Sequence, residues 1–197
     1  MMYKKEIKND IEKSLKKPVK KAENKKLFLF FGLPGSGKSA LAEEIYQRNK
    51  EESIYLAADQ ISLNYKLDSS DHYHWTFEIF DELIRDYLKA GYSVIADANL
   101  DKYEIRKEYY QLAEECGAEV KLFYLKCNLA EIKKRQQQRN QLSESKLRAE
   151  GLYSHDQEEI ESYKKELEGP RDSEKVYLID GNFNFADQLD CWQQVKE

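Results

Sequence analysis

The chain predicts an α/β fold in which five parallel strands form an open sheet covered by helices on both faces. Three observations carry this. Five short runs rich in β-branched and aromatic residues, at 27–31, 53–57, 92–96, 120–125 and 176–179, alternate with stretches of helical period, and such alternation builds parallel sheets. The first run leads into Gly32-Leu33-Pro34-Gly35-Ser36-Gly37-Lys38-Ser39, which has the G-x-x-x-x-G-K-[ST] spacing of a P-loop. Acids stand just past the second and third runs, at Asp59 and Asp97, on the carboxyl edge where open α/β sheets bind ligands. The expected architecture is the P-loop NTPase fold.

The elements follow in order. Residues 1–26 hold ten Lys against four acids, a net of +6, which leaves −11 for the rest of a chain of net charge −5. Ile7, Ile11 and Leu15 recur at spacing four, so a short amphipathic helix can form before Pro18 stops it, although a solvated basic extension is the plainer reading. The domain proper is expected over 27–197. Leu27-Phe28-Leu29-Phe30-Phe31 is apolar throughout, as a strand buried on both faces must be. Ala40 to Lys50 has helical composition, and Ser53-Ile54-Tyr55-Leu56-Ala57 gives the second strand. Residues 60–74 have no clear period and read as loop with a turn of helix. Phe80, Leu83, Ile84 and Tyr87 mark a helix closed by Gly91.

Tyr92 to Ala96 is the third strand. Asp101 with Glu104 resembles a capping box opening a helix through Ile105, Tyr109 and Leu112 to Gly117. After the fourth strand, Asn128 and Glu131 start another helix, with Arg135 and Arg139 four residues apart on one face. Ser154 and Gln157 suggest a cap for a helix through Ile160, Tyr163 and Leu167. The fifth strand ends at Asp180-Gly181, and Phe183, Phe185, Leu189 and Trp192 suit a terminal helix packed on the sheet.

Composition excludes several classes. Three cysteines, Cys116, Cys127 and Cys191, lie far apart with no CxxC, so neither a disulfide framework nor a zinc site is indicated. A reducing, cytoplasmic setting fits best. No apolar run approaches a membrane span, and residues 1–26 lack the apolar middle of a signal peptide. The N-K-x-D and D-x-x-G motifs of GTPases and the L-S-G-G-Q of transporter ATPases are missing.

The glycine-rich stretch predicts a cradle for a nucleotide's phosphates, with Gly32 to Ala40 as its binding residues. Gly35 and Gly37 let backbone N–H groups curl round an anion, Lys38 reaches the β- and γ-phosphates, and the Ser39 hydroxyl holds Mg²⁺. Asp97, after an apolar strand, is the expected second Mg²⁺ contact, with Asn99 beside it. Asp59 is the candidate base that orients and deprotonates an acceptor hydroxyl. Both acids could instead serve as helix caps. Arg135 and Arg139 stand out because the chain has seven Arg against 25 Lys, and a planar fork grips phosphate in a way lysine cannot. A solvated helix face is their alternative, and Arg148 is a weaker candidate.

Through Gly32 to Ser39, Ala58-Asp59, Asp97-Ala98-Asn99-Leu100 and the helix from Glu131 to Arg139, the chain resembles the polynucleotide kinase/zeta toxin group of P-loop kinases, AAA domain 33, over about residues 27–182. The resemblance implies an ATP-dependent kinase acting on a hydroxyl of a small molecule or a nucleic-acid 5′ end. It also implies an arginine-bearing lid at about 128–153, a base at the position of Asp59, and substrate contacts from Tyr65 to Trp75, a segment that holds Asp68, Asp71, His72, Tyr73 and His74. One departure bears on the acceptor. The group's nucleic-acid kinases carry a basic residue shortly after the acid, where this chain has Gln60-Ile61-Ser62-Leu63. With an acidic body, this disfavours a polyanionic acceptor. The rivals are a nucleoside or nucleotide kinase related to adenylate kinase, which would have an Arg after the third strand, and a nucleotide-gated binding protein using residues 1–26.

Overall fold

The computed structural model describes residues 3–68 and 72–194, with side chains to residue 190. Asp71 and the side chains of Cys191 and Trp192 therefore lie outside the described residues. The elements run α1 (Lys4–Ser14), β1 (Lys26–Phe31), α2 (Lys38–Asn49), β2 (Ser53–Ala57), α3 (Ala58–Asn64), α4 (His74–Lys89) and β3 (Ser93–Asp97). They continue α5 (Tyr103–Glu115), β4 (Glu119–Lys126), α6 (Leu129–Arg139), α7 (Glu144–Ala149), α8 (Gln157–Glu166), β5 (Val176–Asp180) and α9 (Phe185–Gln194). The strands pair in the order β2-β3-β1-β4-β5, all parallel.

β1 is central, and its alternation divides the core. Leu27, Leu29 and Phe31 pack into one layer with Phe80 and Leu83 of α4 and Leu112 of α5, whereas Phe28 and Phe30 face Leu41 and Ile45 of α2 and Leu189 of α9. A parallel sheet buried on both faces needs an apolar residue at every position, which is why β1 shows no polar alternation. All five strands fall where the β-rich runs place them. Burying one such Phe contributes roughly 2–3 kcal/mol.

Several helix starts differ from the sequence reading. Residues 58–64 form α3, a helix too short to display a period. The N-cap of α5 is Lys102, not Asp101, and its Tyr103 N–H donates to Glu168 Oε2 at 3.1 Å. Asp101 is drawn away because its carbonyl accepts from Glu168 N–H and from Arg106. α8 is capped by Asp156 with Glu159 in a reciprocal box rather than by Ser154. Phe183 precedes α9 and is 69 % exposed. Gly91 takes φ +95° after α4, and Tyr92 N–H returns to the Tyr87 carbonyl, as a C′ glycine requires. α1 lies on α4, with Ile7 and Ile11 buried and Lys4 and Lys8 paired with Glu78, Glu82 and Asp86.

Candidate active site

The sheet's topology brings the site together. β1, β2 and β3 are neighbours and end level with one another, with Ala57 registered opposite Asp97. Whatever follows these three strands therefore meets at one edge. That edge opens into a cavity of about 560 Å³.

Past Phe31 the backbone takes φ values of +142° at Gly32, +84° at Gly35 and +107° at Gly37, a region side chains rarely adopt. Space is equally limiting: a Cβ on Gly32 would lie 2.5 Å from the Leu125 carbonyl oxygen, and one on Gly37 would lie 2.8 Å from Phe185 Cζ. Gly37 is the N-cap of α2 and supplies no side-chain cap. The first N–H groups of α2 are left for an anion. Pro34, Gly35, Gly37, Lys38, Ser39 and Ala40 line the cavity. Ser36 is turned inward, 1 % exposed, and its hydroxyl is without a partner. Gly32 and Leu33 contribute carbonyls, which accept from Lys38 Nζ at 2.9 and 3.2 Å. Desolvation lowers the Lys38 pKa, with Asp97 and Asp59 pulling the other way.

Asp97 is the last residue of β3 and is 8 % exposed. Its carboxylate accepts at 2.8 Å from the Tyr55 hydroxyl. Burial raises its pKa, with Ser39, Tyr55 and Lys38 opposing. A carboxylate and a hydroxyl side by side are hard oxygen donors suited to Mg²⁺, which completes its shell with phosphate oxygens and water. Among the described residues no cluster of three or more His, Cys, Asp or Glu could hold a metal ion. Asp97 and Ser39, on the cavity wall beside the glycine loop, fit a Mg²⁺ that arrives with a nucleotide's phosphates.

Asp59 stands in the first turn of α3, two residues past the end of β2. Its side chain lines the cavity, and the residue is exposed there. Desolvation first, and then the negative charge of Asp97, push its pKa up to about 6, with Lys38 and Arg139 opposing. The same carboxylate raises Arg139, whose pKa is lowered by burial and by Arg135. Lys38, Asp59, Asp97 and Arg139 all line the one cavity, with Asn99 beside them.

The two arginines of α6 part company. Asn128 caps α6 by accepting from Glu131 N–H, so Arg135 and Arg139 project from one face of the helix. Arg139 lines the cavity, and its Nη1 donates to the Tyr153 carbonyl at 3.3 Å. Arg135 is spent behind the glycine loop. Its guanidinium donates to the Gly35 carbonyl at 3.1 Å and the Gly181 carbonyl at 2.8 Å and pairs with Glu131 at 3.0 Å. Between them Gln136, 2 % exposed, accepts from His155 N–H, and its Nε2 lies 3.2 Å from the place of a Gly35 Cβ without a partner. α7 folds back onto α3. Arg148 donates to both oxygens of Asp68, and the Tyr153 hydroxyl donates to Ser62 Oγ.

Of the Tyr65 to Trp75 segment, Asp68 and Tyr73 reach the cavity. Trp75 packs against the core with His72 stacked on it at 4.0 Å. Sequence reasoning missed Phe77, Tyr153, His155 and Tyr163, which line the cavity from α4 and the lid side. It also missed Tyr55, read only as a strand former. A hydroxyl two residues before the end of a strand, beside a strand that ends in an acid, is the signal that points to it.

The family model AAA_33, described as an AAA domain, matches residues 27–167. Among solved structures the chain is similar to Kti12 of Chaetomium thermophilum in complex with ADP-AlF3, at 15 % identity over 87 % of this chain and 100 % of that one, with a TM-score of 0.67. It is similar to the APS kinase CysC of Mycobacterium tuberculosis in complex with AMPPNP and APS, at 19 % identity over 88 % and 98 %, with a TM-score of 0.58. A sugar kinase from Janibacter sp. HTCC2649 matches at 16 % identity over 87 % and 93 %, also with a TM-score of 0.58. No curated protein sequence matches. At these identities the structural likenesses establish the P-loop fold.

Proposed function

The chain belongs to the AAA_33 family of AAA domains, and from that premise we propose that it is an ATP- and Mg²⁺-dependent phosphotransferase that moves the γ-phosphate to a hydroxyl of a small molecule. One observation carries the reading: Lys38, Asp59, Asp97 and Arg139, drawn from four separate elements, converge on a single cavity at the mouth of the glycine loop. Phosphoryl transfer asks for positioning and charge neutralisation more than for covalent work.

The roles follow from chemistry. Backbone N–H groups at the start of α2 receive the phosphates, and Lys38 exchanges its carbonyl partners for phosphate oxygens. Ser39 and Asp97 hold Mg²⁺, which when bound neutralises charge on the β- and γ-phosphates. Tyr55 keeps the Asp97 carboxylate turned toward Ser39. Asp59 accepts the acceptor's proton as its oxygen bonds to phosphorus and the bond to ADP breaks. Arg139 meets the charge that spreads over the transferred group. Arg135 holds the glycine loop in shape rather than touching the nucleotide. In the rival reading residues 1–26 bind nucleic acid, and Lys4 and Lys8, paired with Glu78, Glu82 and Asp86, would have to leave those carboxylates to join in.

The test is transfer from [γ-³²P]ATP to a panel of hydroxyl compounds, with Lys38→Ala and Asp59→Asn alongside. Lys38→Ala is expected to abolish both nucleotide binding and transfer. Asp59→Asn is expected to bind ATP normally by calorimetry and to lose transfer by a factor of about 10²–10⁴. Transfer by Asp59→Asn at the native rate would remove the base from the reading.

A further inference from the structure

We infer that the acceptor is an unphosphorylated, ring-bearing hydroxyl compound, and that Asp68 is a specificity-determining residue that withholds Arg148 from an acceptor's anionic group. The inference rests on the kinase reading above and adds to it the class of the second substrate.

The charges of the cavity decide the first half. Among its described lining residues the cations are Lys38 and Arg139, with His155 the one other basic group. The two cations flank the glycine loop and Asp59, where the transferred phosphate belongs. Burial lowers the pKa of the His155 imidazole, with Glu159 at 3.8 Å opposing. Away from the glycine loop and its magnesium-binding pair, the charged group among the described lining residues is a carboxylate, Asp68. An acceptor that carried a phosphate there would meet the Asp68 carboxylate and a cation already paired with it.

Arg148 is the one guanidinium near that side, and it is occupied. Nη1 and Nη2 meet the two oxygens of Asp68 at 3.4 and 3.1 Å, Nη1 also donates to the Leu63 carbonyl, and Nε meets Glu144 at 3.1 Å. The fork that could read a phosphate in two bonds is filled by a carboxylate of the protein itself.

The walls decide the second half. Tyr73 and Phe77, 48 % and 37 % exposed, meet edge to face at 5.8 Å at the cavity rim, and Tyr153 and Tyr163 face them from the lid side. Large apolar side chains left open to water at a cavity mouth suit a flat partner, either a nucleobase or the C–H face of a sugar. The reaction balances as an ordinary transfer. The acceptor oxygen bonds to the γ-phosphorus of ATP, the bond from that phosphorus to the β,γ-bridging oxygen breaks, ADP leaves, and the hydroxyl proton passes to Asp59.

The test compares matched pairs that differ by one phosphate: uridine with uridine 3′-monophosphate, and glucose with glucose 1-phosphate, with the aminoglycoside kanamycin as a cationic sugar. Transfer from [γ-³²P]ATP is expected to favour the unphosphorylated member of the active pair at least tenfold in kcat/KM, and the active pair tells nucleoside from sugar. Transfer to kanamycin alone also supports the inference. In Asp68→Asn the ratio is expected to move toward the phosphorylated member at least fivefold, and in the double variant Asp68→Asn/Arg148→Met to return. Because each ratio is internal to one variant, a loss of folded protein cancels from it. Preference for a phosphorylated member overturns the inference and leaves the kinase reading standing. An unchanged ratio in Asp68→Asn removes Asp68 from its role, and no transfer to any acceptor by protein that binds ATP overturns both.

Discussion

Asp59 and Asp97 share one cavity and each raises the difficulty of ionising the other. Burial, then Asp97, push Asp59 up to about 6, and burial raises Asp97 as well. A base works only when ionised, so protonation switches it off. Transfer is therefore expected to rise about tenfold per pH unit up to about 6 and to level off above, the limb belonging to the pair rather than to either acid. A rate profile between pH 5 and 8.5 checks this. A limb centred near 4 would mean that neither burial nor Asp97 holds Asp59 protonated. Tyr55 offers a finer probe at the same scale. Its hydroxyl bonds to Asp97 Oδ2, and a hydrogen bond to a charged group contributes roughly 1.5–3 kcal/mol. Tyr55→Phe is expected to raise the Mg²⁺ concentration needed for half-maximal transfer by about tenfold or more, with kcat at saturating Mg²⁺ much less affected. An unchanged metal titration would reduce Tyr55 to a packing residue.

At the scale of elements, what the sequence disclosed depended on whether the cause was local. β1 was legible because both its faces are covered, and the glycine loop because positive φ at three positions admits little else. α6 was legible because Asn128 caps it within its own first turn. The start of α5 was not, because the group that completes it, Glu168, lies 65 residues away in the chain. Arg106 was missed for the same reason. It is fully buried, pairs with Glu174 through two bonds of 2.7 and 2.9 Å, and donates to the carbonyls of Leu100, Asp101, Glu168 and Gly169. Its guanidinium also lies 4.3 Å over the Phe31 ring. One side chain thus pins the loop that follows Asp97 to the segment that leads into β5. Removing one partner of a buried pair strands the other, at a cost of about 3–5 kcal/mol. Arg106→Met is expected to lower the urea midpoint by that equivalent, and adding Glu174→Leu is expected to recover part of it. Burial alone would raise Glu174, but Arg106 holds it below the usual range. The stability from the pair is present above the unfolded pKa of Glu174 and is lost as pH falls through its lower folded value.

Across the whole molecule the site belongs to no single element. Its groups come from the segments that follow β1, β2 and β3, from α4, α6 and α8, and from the residues between α7 and α8. Apart from the two lid arginines, the acids and the glycine loop could be read from the sequence because strand ends on one edge of a parallel sheet must converge. The lid side could not be read, since how α7 folds back on α3 depends on the Arg148–Asp68 and Tyr153–Ser62 contacts. A ligand that touches all these segments holds the sheet edge and the lid together, and it binds the folded chain alone. Free energy of unfolding then rises by RT ln(1 + [L]/Kd), about 2.7 kcal/mol at a hundredfold excess over Kd. For a chain of this length that corresponds to a rise in Tm of roughly 5–11 °C. AMPPNP with Mg²⁺ is expected to produce that shift, and Lys38→Ala to abolish it. Arg135→Met, whose side chain braces the carbonyls of Gly35 and Gly181, is expected to lower the ligand-free Tm yet keep a shift of similar size when the nucleotide excess over Kd is matched. If Arg135→Met instead keeps its ligand-free Tm and loses the shift, its guanidinium contacts the nucleotide and the division of labour between the two lid arginines is reversed.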